Sequence, residues 1–157
     1  MIPQAHINAW REHAPWRRPV QVEQDLIISR AMVEIFNHPD LAGRLVFRGG
    51  TALHKLCFRT PKRYSEDIDL VQAHAGPIGP VFDALRAALS PFLGKPQRKQ
   101  GPGVVTLIYR TTSEGPPELP MKLKVEINSR EHFSVLAIRR TSFAVSSPWF
   151  EGKTEIP

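Results

Sequence analysis

Two carboxylates, Asp67 and Asp69, stand two residues apart in Tyr64-Ser65-Glu66-Asp67-Ile68-Asp69-Leu70, a stretch with three acids and no base. The alternation of Asp67, Ile68, Asp69 and Leu70 predicts a half-buried strand over 67–72. On such a strand both carboxylates project from one face, about 7 Å apart along the chain. Like charges at that spacing repel unless a divalent cation or nearby arginines offset them, so the pair suits hard, oxygen-seeking ions. Taken alone, Asp-x-Asp reads as a solvent-facing strand edge.

Upstream, Phe47-Arg48-Gly49-Gly50-Thr51 sets two glycines between a short apolar run, Leu45 to Phe47, and a helically spaced segment, Thr51 to Phe58. Strand, tight turn and helix in that order let backbone amides approach a phosphate at a helix N-terminus; a plain turn has the same composition. Downstream, Met121 to Asn128 alternates, with Met121, Leu123, Val125 and Ile127 on one face and Lys122, Lys124 and Glu126 on the other. Glu126 can therefore meet the aspartates if its strand lies beside theirs. A Gly-Gly turn opening a helix, Asp-x-Asp on the next strand and a carboxylate on a later one compose the arrangement used for nucleotidyl transfer. Two Mg²⁺ ions held by Asp67, Asp69 and Glu126 would activate an attacking hydroxyl, orient a nucleoside triphosphate (NTP) and stabilise the departing pyrophosphate.

The elements that must position these residues follow from periodicity. Residues 1–20 are proline-broken and mix Trp10 and Trp16 with Arg11, Arg17 and Arg18, which predicts an arm. Its aromatics suit stacking on unpaired bases or anchoring to the core. Val22 to Asn37 reads as an amphipathic helix closed by Pro39, and Val81 to Leu93 as a second. Lys95 to Gly103 reads as a basic turn in which Lys95, Arg98 and Lys99 are either phosphate-backbone contacts or solvated cations. Val104 to Thr111 is rich in β-branched residues and predicts a strand, residues 113–120 a proline-rich loop, and Leu136 to Val145 a last weak strand. The order predicts an α/β or α+β fold, a mixed sheet covered by helices.

Composition narrows the function classes. One domain fits 157 residues, and 41% apolar with 23% charged residues is a globular composition. The net charge of +6 favours a polyanionic partner or a solvated basic surface. No apolar run approaches the roughly 20 residues of a membrane span, and the first twenty residues do not form a signal peptide, so a cytoplasmic protein without membrane association is expected. Cys57 is the single cysteine, the six histidines show no metal-ligand spacing, and no serine or cysteine has a nucleophile's setting. Disulfides, zinc and acyl transfer are therefore not expected.

Phe47-Arg48-Gly49-Gly50-Thr51-Ala52-Leu53-His54-Lys55 and Arg63-Tyr64-Ser65-Glu66-Asp67-Ile68-Asp69-Leu70 resemble the nucleotidyltransferase toxins of the AbiEii/MenT type, in the polymerase-β-like superfamily. Trp16, Val22-Glu23-Gln24-Asp25-Leu26 and Lys124-Val125-Glu126-Ile127-Asn128 are similar to its N-terminal region and later acidic strand. The resemblance implies a polymerase-β-like core in which Gly49, Gly50 and Thr51 cradle the triphosphate, Ser65 sits beside the phosphates, and Asp67 and Asp69 bind the metals. Lys55 and Arg63 are phosphate contacts on this reading and solvated cations on the plain one. It also implies an abortive-infection or toxin–antitoxin role, with a cognate antitoxin as partner and tRNA 3′ ends as acceptors. Members continue into a helical half carrying a lysine and an Arg-Asp motif. The expectation is thus an N-terminal arm at 1–20 and a nucleotidyltransferase core at 21–157 without that half. The alternatives are a catalytically incomplete module that binds nucleotide, RNA or a partner, and a small-molecule nucleotidyltransferase of the aminoglycoside type.

Overall fold

The computed structural model describes residues 2–14, 16, 18–48, 67–73, 76–115, 117–128 and 141–157. The elements are α1 (Gln4–Trp10), α2 (Pro19–Asn37), β1 (Leu45–Arg48), β2 (Asp67–Gln72), α3 (Gly79–Leu93), β3 (Gln97–Gly101), β4 (Val104–Thr112), β5 (Pro120–Asn128), β6 (Thr141–Ser146) and β7 (Glu151–Ile156). Strands β1 to β5 form one sheet in the order β1-β2-β5-β4-β3, and β6 pairs with β7 as a separate hairpin. β2 and β5 run parallel, whereas β1–β2, β3–β4 and β4–β5 are antiparallel. The fold is mixed α/β, as the order of predicted elements requires.

Helix α2 starts at Pro19, three residues before the periodicity of Val22 predicts. Proline suits the first turn because the N–H it lacks has no helical partner there, and the Arg18 N–H donates to Gln21 Oε1 at 3.3 Å. The helix is buried on nearly every side, since α1, α3, β5 and the β6–β7 hairpin all pack against it. Its Leu26, Met32 and Ile35 join Ile68 and Leu70 of β2, Phe82, Leu85 and Leu89 of α3, Leu107 and Tyr109 of β4 and Val125 and Ile127 of β5 in one core. That core covers a single face of the sheet. The other face carries Asp67 and Asp69 of β2, Thr106 and Arg110 of β4 and Lys122, Lys124 and Glu126 of β5, together with the buried Ile108 of β4.

Two attachments fix the periphery. The Trp10 and Trp16 indoles donate to the two oxygens of Asp25, at 2.9 and 3.1 Å, so both tryptophans of the N-terminal segment tie it to α2. On the opposite flank the Arg30 guanidinium lies 4.3 Å from the Phe92 ring, 4.6 Å from Trp149 and 4.8 Å from Phe150. This aromatic cage holds the hairpin against α2 and α3. The Phe47 N–H donates to the Pro157 carbonyl at 3.1 Å, which braces β1, the strand that leads to Gly49.

Several expectations need correction. Gln97–Gly101 is a strand, not part of a turn: it pairs with β4 through a two-residue Pro102-Gly103 connection, with Gly103 at φ +70. Arg98 and Lys99 therefore lie on an edge strand. The last predicted strand begins at Thr141 in the described residues, and 136–140 lie outside them.

Candidate functional site

The carboxylates of interest sit at the centre of the sheet. Ile68 and Leu70 of β2 and Val125 and Ile127 of β5 are 0 to 1% exposed. Because strand side chains alternate, burial of these four turns Asp67, Asp69, Lys124 and Glu126 to the polar face, and a one-residue slip would invert all of them. The parallel register then sets Asp69 level with Glu126 and Asp67 level with Lys124. Adjacent strands are about 4.8 Å apart, so the sheet brings together the aspartate pair and the later carboxylate that sequence spacing alone leaves separate.

The neighbouring strands extend these rows. Arg48 is the register partner of Asp69 on β1, Thr106 that of Glu126 on β4, and Lys99 that of Thr106 on β3. Arg110 of β4 is level with Lys122 of β5, and both are exposed. The acidic centre thus shares its face with cations, Lys99 at the level of Glu126 and the Arg110–Lys122 row four residues along the strands. Arg110 escapes a sequence reading because it comes late in an apolar strand; pairing with Lys122 is what brings it to this face.

Within the centre, Lys124 Nζ lies 3.7 Å from Glu126 Oε2, with 36% and 35% of the two side chains exposed. Asp67 and Asp69 are half-buried, and each takes part in polar or electrostatic interactions. Among the described residues, no three Asp, Glu, His or Cys side chains converge on one point as they stand. The donor set nevertheless fits a hard divalent cation: all its donors are carboxylate oxygens on one face of two adjacent strands, with Asp69 and Glu126 level and Asp67 two residues along. Gly49, Gly50, Thr51, Lys55, Arg63 and Ser65, together with His54 and Cys57, lie outside the described residues.

A cleft of about 340 Å³ lined by Arg18, Gln21, Gln24, Leu119 and Lys122 opens where the start of α2 meets the start of β5. Gln24 Nε2 closes its floor by donating to the Lys122 carbonyl at 3.0 Å. Four residues of strand, about 13 Å, separate Lys122 from Glu126, so this cleft is not the carboxylate centre. Among the described residues no helix is long and apolar enough to cross a membrane.

Residues 30–157 match the family described as nucleotidyl transferase AbiEii toxin, type IV toxin–antitoxin system. Among solved structures the chain is similar to MenT4, a nucleotidyltransferase toxin from Mycobacterium tuberculosis, with a TM-score of 0.57 and 20% identity over 100% of this chain. The match covers 54% of MenT4, so the chain spans about half the length of that relative. None of the curated proteins compared matches the chain.

Proposed function

The chain belongs to the AbiEii family of nucleotidyl transferase toxins of type IV toxin–antitoxin systems, and from that premise we propose that it transfers a nucleoside monophosphate from an NTP to an RNA acceptor, the 3′ end of tRNA. The observation that carries this reading is the register of Asp69 with Glu126 on parallel neighbouring strands, with Asp67 on the same face.

In the transfer, the acceptor hydroxyl oxygen attacks the α-phosphorus, the new O–Pα bond forms, and the bond from Pα to the bridging oxygen breaks to release pyrophosphate. Asp67, Asp69 and Glu126 are the residues that would hold two Mg²⁺ ions, which when bound supply charge neutralisation at the attacking and leaving oxygens. Glu126 would also accept the proton of the attacking hydroxyl. By the family resemblance, Gly49, Gly50 and Thr51 would cradle the triphosphate through backbone amides, Ser65 would sit beside it, and Lys55 and Arg63 would offset its charge. Lys99 of β3 and the Arg110–Lys122 row of β4 and β5, about 13 Å along the strand from Glu126, give an RNA backbone a cationic surface on the carboxylate face. Residues 21–157 serve as the core and residues 1–20 as the arm, in a cytoplasmic protein whose protein partner is a cognate antitoxin.

Incubation of the purified protein with Mg²⁺, total tRNA and NTPs labelled on the α- or γ-phosphate tests the reading. Label from the α-phosphate, and not the γ-phosphate, is expected on tRNA. Retention of Mg-NTP without turnover would assign a binding module instead, and labelling of an aminoglycoside in place of tRNA a small-molecule transferase.

A further inference from the structure

Lys124 has no part in the chemistry above, yet it stands among the carboxylates. It is level with Asp67 across the β2–β5 ladder, and its ammonium lies 3.7 Å from the Glu126 carboxylate two residues along the same strand. Positions 124 and 126 share a face about 7 Å apart, so the lysine stem bends along the strand to reach that oxygen. As a stabilising contact the pair is weak, because both partners are about one-third exposed and solvent screens them. It does have a consequence for the site. The oxygen that faces the ammonium is one a divalent ion would need, and a second positive charge at this range repels the ion. The three carboxylates do not converge as they stand.

We infer that Lys124 is an internal counter-cation that competes with the divalent ion for Glu126 and so sets the metal affinity of the site. It is a positioning residue, since it acts through Glu126 and not on the substrate, and the inference rests on the reading of Asp67, Asp69 and Glu126 as metal ligands. The strength of the pair suits this role. A buried ion pair would not exchange with a divalent ion in solution, whereas one exposed to this degree costs little to open. In the absence of metal the lysine offsets the repulsion among the carboxylates, and the arriving ion replaces it.

Calorimetric titration of Mn²⁺ into the purified protein, without nucleotide, tests the inference independently of activity. Lys124→Met removes both the competitor and the repelling charge and is expected to bind Mn²⁺ about three- to tenfold more tightly than the wild type. Lys124→Arg, which keeps the charge, is expected to stay within about twofold of wild type. Wild-type binding that Asp69→Asn abolishes but Lys124→Met leaves unchanged or weakens overturns the role of Lys124 alone. Absence of Mn²⁺ binding by the wild type overturns the metal reading and this inference together.

Discussion

Asp69 of β2 and Glu126 of β5 are register partners across a parallel strand pair, although α3, β3 and β4 intervene between them in the chain. Parallel neighbours require a crossover, and here the crossover is built from a helix and the β3–β4 hairpin, which itself adds to the far edge of the sheet. The level of the two carboxylates is therefore set by the whole sheet, through the burial of Ile68, Leu70, Val125 and Ile127.

Both tryptophans of the N-terminal segment share one acceptor group on α2. Asp25 is 3% exposed and takes both the Trp10 and Trp16 indole N–H groups. Asp25→Ala leaves two donors without partners in a desolvated setting and is expected to destabilise the protein by about 2–4 kcal/mol, measured by urea denaturation. Asp25→Asn keeps one accepting oxygen and is expected to lose about half as much. Equal losses in the two variants would contradict the account of the carboxylate as a double acceptor.

Glu23 predicts a pH dependence. It is 1% exposed, its Oε2 accepts the Glu114 N–H at 3.0 Å, and its Oε1 meets no donor. Burial raises its carboxyl above the ordinary 4.5, and the Glu114 N–H offsets only part of that rise. The folded state then binds the Glu23 proton more tightly than the unfolded state does. Stability from this group is fully present below pH 4.5 and is lost as pH rises through the raised value. Glu23→Gln keeps an acceptor for Glu114 and carries no charge, so its melting temperature is expected to exceed that of wild type at neutral pH, with the gap closing toward acid. Thermal melts across that range measure it, and parallel curves would contradict it.

The cationic surface predicts how RNA binding responds to salt. Arg110 and Lys122 are exposed register partners on the carboxylate face. Neutralising both, as Arg110→Ala with Lys122→Ala, is expected to lower the slope of log affinity for tRNA against log salt by about 1.5–2, with similar losses for all tRNAs. Filter binding at several salt concentrations reads this slope. An unchanged slope would place the RNA elsewhere.

Local signals carried much of this molecule. The alternation of Asp67-Ile68-Asp69-Leu70 and of Met121 through Ile127 located β2 and β5 and the faces of their side chains, because each strand buries one side. The same reasoning missed β3, whose Gln-Arg-Lys-Gln-Gly is exposed throughout; its contact with the core is the Arg98 guanidinium 4.2 Å over the Phe82 ring. An edge strand held by its hairpin partner need not alternate in hydrophobicity. β7 was missed for a related reason, since its buried Thr154 and Ile156 give only a short signal. Which strand adjoins β2 is a property of topology, so the meeting of Asp69 and Glu126 had to await the fold.

The central claim is that Asp69 and Glu126, joined by that register, serve one metal-dependent transfer site. The most direct test is the rate of α-labelled nucleotide incorporation into tRNA by Asp69→Asn and Glu126→Gln, two changes that remove charge while preserving shape, with circular dichroism to establish folding. The account predicts that each folded variant loses at least about a hundredfold in rate, because either change leaves the site short of a ligand. A folded Asp69→Asn or Glu126→Gln protein that labels tRNA at the wild-type rate would contradict it.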